Sequence, residues 1–192
     1  MTNAKIFVIQ GADTYFLARI PALPGANASG KTRDEAIANA RKAFRAYRDL
    51  LEARGVSVEH WKDIDPDTIP AEDTPPSGIF PGEDLPLQEH EIRDFLHQFE
   101  ASRAALISLV KGLSAPQLEK WPDDPFGTLQ ATHRIAFQRF SVMEPGDFVD
   151  HEIMGRRWTT RRVMRRMLEH EFEHYEHIKE IMAALGGDRP PE

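Results

Sequence analysis

The chain of 192 residues has no cysteine. That excludes disulfides, thiol nucleophiles and thiolate metal sites, so any metal would have to be held by histidine and carboxylate. The absence fits a reducing cytoplasm. No apolar run approaches the ~20 residues that a membrane-spanning helix needs. The opening MTNAKIFVIQGAD does not read as a secretory signal, because its apolar stretch is short and an acid follows at once. Positive charge is scarce: 24 Lys and Arg stand against 31 Asp and Glu, a formal net charge of −7. Broad nucleic-acid binding relies on a positive surface and is not expected here. What is present is ordinary for a folded protein, with 41% hydrophobic residues in a length that suits one large or two small domains.

KIFVIQ (residues 5–10) and YFLARI (15–20) are rich in aromatic and β-branched residues, and Gly11-Ala12-Asp13-Thr14 between them makes a hairpin. Pro21, Pro24 and Gly25 punctuate a loop, after which a third short strand fits residues 26–29. Thr32 with Glu35 three residues later forms a capping box. Ala36, Ile37, Ala40, Phe44, Tyr47 and Leu51 then recur at helical spacing, Gly55 closes the helix as a left-handed cap, and residues 56–60 are the expected fourth strand.

Leu23-Pro24-Gly25, then Gly30, Thr32, Glu35 and Ala36, preceded by the aromatic-rich second strand, resemble the HicB-like antitoxin domain over roughly residues 3–60. The resemblance implies a reduced ribonuclease-H-type α/β fold and, as a partner, a small basic HicA-like protein. Asp13 is similar to a ribonuclease-H carboxylate only by fold analogy, and no nuclease is expected.

From residue 63 to 86 the composition changes. Six prolines and seven acids with few large apolar residues describe an extended linker. Helical patterns follow over 89–111, briefly over 114–119, over 128–142, and from Thr159 or Thr160 to residue 185, where Gly186-Gly187 stop the last helix. The fold class is therefore α+β: a small α/β domain (1–62), a linker (63–86) and a helical bundle (87–187).

The last helix carries the candidate chemistry. At ~100° per residue, Val163, Met164, Met167, Ile178, Ile181 and Met182 share one face. His174 and Glu171 fall inside that arc, His170 at its edge and His177 just beyond. Two imidazoles at i, i+4 can share a metal ion, with Glu171 as a ligand or as an acceptor behind one. The same spacing also occurs on half-exposed faces, where such side chains make ordinary hydrogen bonds.

Trp158-Thr159-Thr160 followed by RRVMRRMLEHEFEHYEHI resembles the last helix of the DinB-like superfamily, and residues 102–122 resemble its first helix and turn. The resemblance implies a helical-bundle metalloenzyme in which His170, His174 and a third histidine bind a divalent ion, zinc or nickel. The activity implied is that of a metal-dependent hydrolase or thiol-linked transferase. That pattern needs four helices and three are evident. Either residues 129–140 are the second helix and His133 is the third ligand, or they are the third helix and His133 is not. The alternative function is a non-catalytic HicB-like binding module with the bundle as dimeriser. A three-helix bundle leaves an apolar edge to be covered by a second chain, giving a homodimer, or by the N-terminal head. Six arginines between 156 and 166 oppose the dipole at the start of the last helix. A paired acid such as Glu169, four after Arg165, or an anionic partner would compensate them.

Overall fold

The computed structural model describes residues 4–11, 15–75, 79–111, 150–153 and 156–184. The turn residues 12–14, the expected helices over 114–119 and 128–142 with His133, and the Gly186-Gly187 stop lie outside the described residues.

The head opens with β1 (Ile6–Gln10) and β2 (Phe16–Arg19), antiparallel, followed by β3 (Asn27–Gly30) antiparallel to β2. Helix α1 (Arg33–Ala53) then crosses back. Thr32 caps it by accepting from the Glu35 amide, while the Glu35 carboxylate accepts from the amide of Lys31, one residue earlier than a standard box. At the other end Gly55 has φ +76°. Its amide bonds Glu52 and the next amide bonds Leu51, a Schellman closure that only a left-handed residue permits.

The fourth strand is not at 56–60, where the chain is irregular and then enters a turn at 59–63. It is β4 (Ala71–Asp73), reached through a 3₁₀ turn at Pro66–Thr68 and parallel to β1, so the sheet order is β3-β2-β1-β4. Val56 and Val58 instead pack on the core beneath α1. The segment read as linker thus contributes a strand to the head. It continues over the far face of the sheet, where Phe80 stacks on Phe7 at 4.7 Å and is covered by the Arg165 guanidinium. This explains why β1 is apolar on successive residues: Ile6 and Val8 face α1, while Phe7 and Ile9 face Phe80.

Helix α2 (Glu89–Lys111) packs beside the last helix, α3 (Thr160–Ala184). Thr159 caps α3 by accepting from the Arg162 amide. Before it stands an antiparallel pair of strands, β5 (Asp150–Ile153) and β6 (Arg156–Thr159), which no strand pattern in the sequence announced. The described C-terminal part is therefore not all-helical. Leu87, Phe95, Phe99, Met164 and Leu168 form one core between the two helices, and Leu106, Leu109, Val110 and Ile178 a second. Ala101, Ala105 and Phe172 join the core of the head instead. The head is thus one cover of the helical pair, which was one of the two solutions open to its apolar edge. Among the described residues no helix is long and apolar enough to cross a membrane.

Tyr47 sits at the join. Its ring lies 4.9 Å from that of Phe172, and its hydroxyl is 3.1 Å from Ser102 Oγ. Because the serine hydroxyl is donated to the Gln98 carbonyl, Tyr47 is the donor. The same ring explains the glycine of the Leu-Pro-Gly motif: a Cβ on Gly25 would come within 2.2 Å of it. Gly25→Ala is expected to lower stability by about 1–3 kcal/mol, seen as a lower urea midpoint at unchanged slope. A change below about 0.5 kcal/mol would mean that the tyrosine is not held as tightly as its burial implies.

Candidate functional site

The arginines at the start of α3 are compensated rather than left bare. Arg161 donates to both Glu91 carboxylate oxygens on α2 and to the carbonyls of Leu85 and Pro86. Arg162 lies 5.0 Å from the Trp158 ring and donates to the Arg157 carbonyl, and Arg157 itself pairs with Asp150 across the β5–β6 hairpin. Arg165 bridges Glu83 of the segment crossing the sheet and Glu169 one turn on, as the i, i+4 spacing implied. Glu169 is 1% exposed, and it also meets Arg166 at 3.3 Å and, from β2 of the head, Arg19 at 3.4 Å. Burial lowers the pKa of Arg19, partly offset by Glu169. The Glu169 backbone takes part as well, its carbonyl accepting from Asn27 Nδ2 of β3.

One turn further along, the two histidines of α3 meet. His170 Nε2 and His174 Nε2 are 2.8 Å apart, with the rings stacked at 4.4 Å. The helical projection placed both against the bundle. In the structure His170 is exposed and His174 half-buried. The reason is that α3 is packed on two sides, by α2 and by the head, and Phe172, opposite the projected apolar face, is buried against Tyr47. The pKa of each imidazole is lowered, by burial first; next come Arg166 for His170 and the His170 ring for His174. At this separation one ring nitrogen donates its N–H to the lone pair of the other.

Glu171, weighed as a ligand, turns away from these rings. It pairs with Arg103 of α2 at 2.6 Å in a buried setting, and its second oxygen has no hydrogen-bond partner. Among the described residues no group of three or more His, Asp or Glu could hold a metal ion. The structure brings His170 and His174 together, and His133 lies outside the described residues. His97 and His177 are exposed on their helices, and His90 is exposed on α2. What sequence reasoning missed is the extension of the Arg165–Glu169 pair to Arg19 and to Glu83. Arg19 and Glu83 come from different parts of the sequence, and only the abundance of arginine on α3 hinted that acids would be recruited.

A curated relative, the UPF0150 protein Ta0767 of Thermoplasma acidophilum, is 38% identical to the chain over 53 residues, 28% of this chain and 77% of that protein. The match lies in the N-terminal part. No protein-family model and no solved structure matches the chain.

Burial raises the Glu171 carboxyl from 4.5 to about 7 even with Arg103 beside it. The folded protein therefore binds this proton more tightly than the unfolded chain. The contribution is fully present below pH 4.5 and is lost as pH rises towards 7, by on the order of 3 kcal/mol. Denaturation of Glu171→Gln across this window should give a flatter pH profile than wild type. Superimposable profiles would show that Glu171 ionises normally.

Proposed function

Through its N-terminal part this chain belongs to the UPF0150 family, and from that premise we propose that it is a non-catalytic binding module of the HicB-like antitoxin type. Its head would hold a small basic HicA-like protein, with the helical pair as scaffold and dimerising surface. The kinship of the head is the observation that carries this reading.

The surface best suited to such a partner is the outer edge of β4. Among the described residues the strand ends the sheet order, so one row of its backbone groups is left to pair with an added strand. Its Glu72 and Asp73 side chains are exposed and, among the described residues, bonded only to the half-exposed Lys5 and Arg33, at 2.7 and 2.8 Å. Surface pairs of this kind are worth little, so a partner's lysines and arginines could replace Lys5 and Arg33 at small cost. The test is co-expression with small basic reading frames adjoining this one, followed by calorimetry of any complex. The double reversal Glu72→Lys with Asp73→Lys should weaken binding about tenfold or more, ~1.4 kcal/mol. Absence of any complex, or a complex indifferent to the reversal, would count against this reading.

A second reading is favoured by the convergence of His170 Nε2 and His174 Nε2. Two imidazoles one turn apart can exchange their mutual hydrogen bond for a divalent ion such as zinc or nickel, each turning a ring-nitrogen lone pair to it, and His133 is the third ligand that this reading requires. A metal-activated water would then serve hydrolysis or thiol-linked transfer. Elemental analysis of protein purified without a histidine tag should find about one ion per chain, lost in the variant His170→Ala with His174→Ala. Ion content at background in both proteins would remove this reading.

A further inference from the structure

We propose that the cavity between the head and the helical pair is a binding site for a small organic cation with an apolar body. The cavity has a volume of about 540 Å³, within the range of small-molecule sites. Its walls come from three parts of the chain: the Pro21–Pro24 loop with Trp61, the segment around Glu83 and Leu85, and the facing sides of α2 and α3.

The apolar part of the lining is built from Leu87, Phe95, Met164 and Leu168, all buried. The polar part is a stripe on α2. His90, Asp94 and Gln98 stand four residues apart and so lie along one face of the helix. Burial deepens along the stripe, from exposed His90 through half-buried Asp94 to Gln98 at 5% exposure. The opposite wall carries Arg161 and Arg165, but their charges are already paired, with Glu91 and with Glu83 and Glu169, and Arg161 also donates to two carbonyls.

Three carboxylates, Glu83, Glu91 and Asp94, line the cavity against two guanidiniums, Arg161 and Arg165, which leaves one negative charge in excess. That charge belongs to Asp94, for which no hydrogen bond or ion pair is made among the described residues. Gln98 adds an unused acceptor, since its Oε1 is buried with no hydrogen-bond partner. The imidazoles of His60 and His90 also line the cavity, but its one unpaired charge is an anion, set beside an unused acceptor and a hydrophobic lining. A ligand with N–H donors and a positive charge at one end, and a ring or short hydrocarbon at the other, meets each of these demands. An anionic ligand would face the unpaired charge of Asp94, opposite guanidiniums whose charges are already met by carboxylates.

The test uses the intact chain and two probe pairs matched in shape: phenethylamine against 2-phenylethanol, and benzamidine against benzamide. Binding is read from the Met164 methyl and Trp61 indole resonances, both belonging to lining residues. Each cation should produce saturable shifts at these two resonances and bind at least tenfold more tightly than its neutral counterpart. Asp94→Asn, a change at a half-exposed position, should bring the cation down to the level of its isostere. The proposal is overturned by the absence of saturable shifts, by equal binding of the neutral compounds, or by undiminished cation binding in a folded Asp94→Asn protein. The comparison of charged and neutral probes on the wild-type chain stands without the variant.

Discussion

The carboxylate of Glu169 is the point on which the rest of the structure depends. It is almost wholly excluded from water, yet it meets three guanidiniums, two from its own helix and one from a strand far away in sequence. A buried charge of this kind is tolerable only while its partners are in place, and removing one partner from such a set costs ~3–5 kcal/mol. Arg165 extends the set to Glu83. Head, crossing segment and last helix are consequently held in one arrangement by directional contacts, where apolar burial alone would allow sliding. The surrounding packing agrees with that arrangement: Phe172 enters the core of the head and Phe80 lies beneath Arg165.

The proline-rich segment owes its role to the same constraint. Prolines limit its backbone freedom, so less entropy is lost when it lies down along the sheet. It supplies β4, then the ring that covers Phe7, then the Glu83 carboxylate that engages Arg165. Two surfaces of functional interest flank it, the acidic outer edge of β4 and the cavity beside Leu85 and Leu87. Neither would exist if this stretch were a free spacer. The histidine pair on α3 is a third feature, and it sits on the turn directly after Glu169, so its placement is inherited from the same anchor.

Much of the head is legible in local residues. Thr32 and Glu35 announce the start of α1, Gly55 its end, and the apolar runs before Gly11 and before Pro21 are the first two strands. The boundaries of α2 and the capping of α3 are likewise written in short-range signals. β4 escapes such reasoning because Ala71, Glu72 and Asp73 have little strand propensity, and they become a strand only because β1 offers an open edge. The β5–β6 hairpin is hidden for a similar reason, being polar and arginine-rich. The histidines show the limit most plainly: their i, i+4 convergence follows from helix geometry, but their exposure does not. A helical projection assumes one buried face, whereas α3 has two.

By itself, the sequence determined the local grammar: where helices begin and end, that Gly55 closes α1, that thiol chemistry is excluded, and that the N-terminal part has relatives. Tertiary structure alone decided which charges are buried together, which strand completes the sheet, and which polar groups on α2 are left without partners around a cavity. The division has a physical cause. Caps, turns and helical periodicity are settled by residues within a few positions of one another, whereas desolvation and ion pairing are settled by whatever distant segment the fold brings alongside.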